Sequence, residues 1–125
     1  MSRTSNFVTK PIRLAIYNRD DCQCIICGER DINKLSLDHI VAEAKGGTHA
    51  TNNLVTMCIS CNSSKRDMPL KAFCLKKGYS WPTIRAKVNR AKRASIDTQV
   101  AKQAINKAGG WQNYKQNGTK VLYQF

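Results

Sequence analysis

Two C-x-x-C pairs, Cys24-Ile25-Ile26-Cys27 and Cys58-Ile59-Ser60-Cys61, constrain this chain more than any other feature in it. Two intervening residues let both sulfurs of a pair converge on one ion at about 2.3 Å, and two pairs complete a tetrahedron. Residues 28–57 are then tied at both ends by a structural zinc ion. A filled four-cysteine site keeps no open position, so it staples the chain and does no chemistry. Disulfides or buried thiol pairs are the alternative. The spacing, with no secretory signal in view, favours metal in a reducing compartment. Cys22 and Cys74 are left over. Cys22 competes with Cys24 only at a less usual spacing from Cys27, and both read as small buried hydrophobes.

The rest of the composition narrows the class. A length of 125 residues suits one domain with a core of ordinary size. Lys and Arg number 21 against 8 Asp and Glu, for a net charge of +13, which points to a polyanion such as nucleic acid. A hydrophobic content of 42% argues against wholesale disorder. No apolar run approaches the roughly 20 residues of a membrane span, so no membrane partner is expected. The N-terminal stretch is polar, and the expected location is cytoplasmic, the host cytoplasm if the chain is phage-encoded. The charge is uneven: residues 79–125 carry nine basic side chains and a single acid, Asp97. This divides the chain into a cysteine-bearing domain, 1–78, and a basic extension, 79–125, packed on it and contacting DNA.

Local patterns predict an α+β chain. Residues 11–18 read as a short helix, with Pro11 acceptable in a first turn. Residues 20–34 form a polar loop holding the first cysteine pair. Residues 35–37 and then 40–41 alternate as a strand, 45–52 form a glycine-bearing loop, and 54–57 make a second strand. A helix begins near Ser60 or Cys61 and runs through Lys65, and another spans 70–77 before Gly78. In the extension, a helix from Pro82 buries Ile84, Val88 and Ala91. A break at 95–98 with Ser95 or Asp97 as cap starts a second helix, striped by Ile96, Val100, Ala104 and Ala108 and ended by Gly109-Gly110. Asn117-Gly118 is a hairpin signal that predicts a last strand over 119–125.

Inside the tied segment lie Leu37-Asp38-His39-Ile40, Gly46-Gly47 and Asn53-Leu54. Arg19-Asp20 and Cys24-x-x-Cys27-Gly28 precede them, and Cys58-x-x-Cys61-Asn62-x-x-Lys65 follows. Over roughly residues 12–67 this ordered string resembles the HNH endonucleases of the ββα-metal fold, in a four-cysteine, phage or mobile-element type. Ala42 departs from it, since family members often carry Pro there. Independently of the name, phosphodiester hydrolysis needs a base for water and a cation for charge growing on phosphate. His39 is one of two histidines, and a neutral imidazole is a suitable base near pH 7. Neighbouring residues on a regular strand face opposite ways, so Asp38 and His39 can share one phosphate only where the strand ends or bulges.

The resemblance implies an α+β ββα-metal domain with an N-terminal helix and a basic, mostly helical C-terminal extension. It implies His39 as general base and Asp38 with Asn62 as ligands of catalytic Mg²⁺ or Mn²⁺. Asn53 is implied to hold the imidazole in its useful tautomer. The family's cleavage leaves 5′-phosphate and 3′-hydroxyl ends. Its small members nick DNA, assist genome packaging through phage packaging proteins, or home into a target, as monomers or dimers. Lys65 and Arg66 lie on the helical face of Asn62 and are expected on phosphate. Arg85, Arg90 and Arg93, with Lys87 and Lys92, are expected to bind DNA backbone without sequence preference. Trp81, Trp111 and Tyr114 are candidates for stacking on unpaired bases, with core packing the alternative. His49 reads as a solvated loop histidine, with substrate or metal contact as the alternative. A non-catalytic zinc-ribbon DNA-binding module is the rival to the nuclease.

Overall fold

Strands β1 (Leu35–His39) and β2 (Leu54–Cys58) pair antiparallel, in a register that sets Leu35 opposite Cys58 and His39 opposite Leu54. They belong to a computed structural model that describes residues 8–122, with side chains up to residue 116. All of β2 and every residue of β1 except Ser36 are buried. A hairpin exposed on one face would alternate; this one has helices on both faces. Helices α1 (Lys10–Arg19) and α4 (Trp81–Arg93) pack against β2, and α2 (Ile59–Lys65) packs against both strands. β1 stops at His39, one residue short of the Ile40-Val41 continuation that the alternation predicts. Ile40 N–H still reaches Asn53 O at 2.8 Å, and the chain then turns away.

The helix boundaries follow from caps. Cys58 caps α2 through its sulfur, which accepts from Cys61 N–H at 3.3 Å, so this helix starts at Ile59 rather than Ser60 or Cys61. Gly78, at φ 79°, ends α3 (Leu70–Lys77) in the left-handed conformation that glycine adopts without strain. Ala94 is extended and ends α4. Asp97 Oδ1 then caps α5 (Thr98–Lys107) by accepting from Gln99 and Val100 N–H at 3.0 and 3.1 Å. The break predicted at 95–98 is therefore present. The buried stripe of α5 is rotated slightly from the predicted one, to Ala101 and Ala104 with Val100 half-buried. Two alanines let α5 pack closely on α1.

The predicted hairpin after Asn117-Gly118 is corrected by the structure. α6 (Trp111–Leu122) runs through both residues, and the remainder of the predicted strand, 123–125, lies outside the described residues. Trp111 and Tyr114 sit one helical turn apart with rings stacked at 5.7 Å, and Tyr114 is fully buried. That spacing rewards a helix, whereas a turn signal needs a partner strand before it yields a hairpin. Burial also removes Tyr114 from the candidates for base stacking. One hydrophobic cluster holds Leu14, Leu54, Phe73, Ile84, Ala104 and Tyr114 together, so the core is continuous across position 78.

Candidate active site

The first cysteine pair lies on the turn after α1, and the second spans the junction of β2 and α2. Cys24, Cys27, Cys58 and Cys61 bring their sulfurs within 4.8 Å of one another. Cys27 and Cys58 Sγ are 3.6 Å apart. A tetrahedron with Zn–S bonds of about 2.3 Å has edges of about 3.8 Å, while a disulfide would need about 2.05 Å. The donor set therefore fits zinc. Burial, and then the neighbouring cysteines, push the Cys61 thiol well above its ordinary range. Cys22 and Cys74 are fully buried and lie outside this group, as small apolar side chains do.

A clasp of charges joins α1 to the hairpin. Arg19 meets Asp20 through Nε–Oδ1 at 2.9 Å and Nη2–Oδ2 at 3.0 Å, with both side chains almost fully buried. The same guanidinium donates to Thr51 O and Leu54 O, and Asp20 Oδ2 accepts from Thr56 N–H at 2.8 Å. The start of β2 is thereby held in place, and with it the strand paired to it.

Asp38 and His39 close β1, and both line a cleft of about 690 Å³ together with Glu43, Asn62, Lys65 and Arg66. Because the strand ends at His39, consecutive residues reach one cavity, as the chemistry requires. Asn62 Nδ2 donates to Ser36 Oγ at 3.1 Å and Leu37 O at 3.2 Å, which commits its protons to β1. The ligand this side chain still offers is its amide oxygen, a hard donor. Lys65 is only 3% exposed, and its Nζ lies 2.8 Å from Asp38 Oδ2. The Asp38 carboxylate is therefore held against a buried ammonium at the wall of the cleft. Asp38 and Asn62 both line the cleft, and a carboxylate with an amide oxygen is a donor pair that suits a small divalent cation.

Other expected residues have partners within the protein or face solvent. Asn53 Oδ1 accepts from Val41 N–H at 2.9 Å, and Nδ2 donates to Val41 O and Thr48 O. Its amide thus fastens the two ends of the loop that follows β1. Arg90 Nη2 donates to Arg19 O and Asp21 Oδ2, both at 3.0 Å. Arg66, Arg85 and Arg93 are exposed. Arg66 lies on the cleft, turned there by a φ of 53° at the end of α2. Trp81 and Trp111 pack partly against the core.

His49 lies in the loop after β1, its side chain about 35% exposed, and is set against His39. Its Nδ1 lies 3.0 Å from His39 Nε2, and its Nε2 lies 3.4 Å from Glu43 Oε2. The loop returns it there because Gly47 presses against Val41 O, where a Cβ would come within 1.7 Å of that oxygen. Glu43, four residues after His39, is the residue that sequence reasoning missed. The signal was Asp-His followed by a glutamate and a Gly-Gly reversal ahead of a second histidine. Burial is the largest influence on His39 and lowers its pKa, as His49 and Lys65 do; Glu43 and Asp38 act the other way. The net effect leaves the ring neutral at pH 7.

A family model described as HNH endonuclease matches residues 24–76. The chain is 30% identical over 105 residues to the CRISPR-associated endonuclease Cas9 of Corynebacterium diphtheriae, covering 78% of this chain and 10% of that protein. It is 30% identical over 108 residues to the Cas9 of Actinomyces naeslundii, covering 85% and 8% respectively. Residues 24–76 belong to the HNH endonuclease family. The chain spans about a tenth of the length of the curated relatives it matches. No solved structure matches it. The HNH match takes in both cysteine pairs, the hairpin and α2, and it leaves out α1 with its Arg19–Asp20 clasp. The similarity to the relatives reaches well past the HNH segment, so it also draws on the helices around it. Among the described residues, no helix is long and apolar enough to cross a membrane.

Proposed function

We propose that this chain is a metal-dependent DNA endonuclease that hydrolyses phosphodiester bonds in the cleft between β1 and α2. The observation that carries the reading is that Asp38, His39 and Asn62 line one cavity beside exposed Arg66. His39 acts as general base and takes a proton from the attacking water. Asp38 and Asn62 supply oxygens to one Mg²⁺ or Mn²⁺, and Asn62 is set for this by its anchored Nδ2. When bound, that cation stabilises the charge on phosphate and on the leaving 3′ oxygen. Lys65, 2.8 Å from Asp38 Oδ2, holds the Asp38 carboxylate in place before substrate arrives. Arg66 holds phosphate at the cleft, while Arg85 and Arg93, with a part of Arg90, track backbone farther along α4. Zinc in the four-cysteine site keeps β2 and α2 in register with the first turn. Asn53 serves the base at one remove, by fixing the loop that carries Glu43 and His49.

Plasmid cleavage with Mg²⁺ or Mn²⁺ tests this directly. The intact chain should cut, and His39→Ala should lose about a hundredfold or more in rate while keeping its zinc content and DNA affinity. No cutting by the intact chain with any of several divalent ions would sink the enzyme. Binding without cutting would favour a zinc-stapled DNA-binding module.

A further inference from the structure

The cleft holds two donor sets of different character. Asp38 and Asn62 offer oxygen, which suits hard cations such as Mg²⁺. Also at the end of β1, His39, Glu43 and His49 offer two imidazoles and a carboxylate whose ligand atoms lie within 4.8 Å of one another. The relevant separations are 3.0 Å from His39 Nε2 to His49 Nδ1 and 4.0 Å from His39 Nε2 to Glu43 Oε1. With metal–nitrogen bonds of about 2.0–2.1 Å, a tetrahedral site has ligand edges of about 3.4 Å, which falls between those two values. Two histidines and a glutamate with a fourth position left open is a donor set that borderline ions such as Zn²⁺ prefer to alkaline earths.

We propose that His39, Glu43 and His49 form a second transition-metal site, separate from the four-cysteine cage and from the Asp38–Asn62 oxygens. The site is placed by the fold. His39 is fixed at the end of β1 and is 3% exposed. His49 is brought back by the Gly47 reversal, and both ends of its loop are tied by Asn53. Glu43 is partly exposed, which gives an ion an entry path and the carboxylate freedom to close on it. An ion held here takes the lone pair that His39 needs for water. Zinc therefore switches off cleavage supported by Mg²⁺. That consequence rests on the nuclease reading; the site itself does not.

The test uses the full chain with its cage already filled with zinc, dialysed free of excess metal and then titrated with Zn²⁺. Metal analysis should find two zinc ions per intact chain, and one in His49→Ala or Glu43→Gln, which weaken the second ion by about ten- to a hundredfold. Asn62→Ala should still take two. Co²⁺ added to the same zinc-filled chain should give ligand-field bands without the charge-transfer absorption of thiolate ligands. Saturation of the intact chain at one zinc, or equal uptake by His49→Ala, would overturn the site. In the plasmid assay, His49→Ala should need about tenfold more zinc for inhibition than the intact chain. An active enzyme that binds the second zinc and is not slowed by it would refute the sequestration of His39. A chain that binds two zinc ions but never cuts DNA would instead count against the nuclease reading alone.

Discussion

Asp20 closes the turn after α1, and its two oxygens reach Arg19 and the backbone of β2. Removing it would leave the Arg19 guanidinium buried with only carbonyl partners and the Thr56 N–H without its acceptor. Breaking one side of a buried ion pair costs about 3–5 kcal/mol. Asp20→Ala should therefore lower unfolding stability by that amount in urea, with Asp21→Asn near neutral because its pair with Arg90 is half exposed and Asn also tolerates the φ of 61° there. Equal midpoints for the two variants would refute the clasp. At this scale, the sequence marks which residues belong to the site far better than it marks what each one touches. Asp38 and His39, between the two cysteine pairs, and Asn62, directly after the second, are legible as a group because that order has few other uses, and all three line the cleft. The destination of Lys65 is not legible, because a long flexible side chain serves a buried carboxylate as well as a phosphate. Arg90 poses the same problem, reaching Asp21 across a fold that local pattern does not describe.

The loop between the strands does more than connect them. Gly47 has no room for a Cβ, because Val41 O and C lie where it would go. Forcing a methyl group into that backbone contact costs about 1–3 kcal/mol and moves His49 away from His39. Gly47→Ala should show both effects, a lower denaturation midpoint and loss of the second zinc ion. Retention of that ion by Gly47→Ala would show that the reversal does not position His49. Helices were readable wherever a cap or a left-handed glycine marked their ends, as at Asp97 and Gly78. The last element was misread for a physical reason. Asn-Gly favours a hairpin only where a second strand is available, and stacked aromatic side chains one turn apart favour α6 instead.

The molecule as a whole has one core running through both sides of residue 78 and a four-cysteine cluster suited to a metal staple. Cys58→Ser isolates the staple, because a serine hydroxyl can still cap α2 while giving up a thiolate ligand. The melting temperature should fall by about 10 °C or more, corresponding to about 3 kcal/mol, with Asn62→Ala changing it far less. Equal melts would argue against structural zinc. Composition revealed a basic second half, but not that α5 packs on α1 or that Tyr114 belongs to the common core, since both depend on contacts far apart in sequence. The stretch that carries the HNH signature is consequently not a portable unit. Excised at residues 24 and 76, it would leave behind the arginine and aspartate that brace its second strand, together with the helices that roof its hairpin. Anyone moving this HNH segment into another protein would have to take its neighbours along.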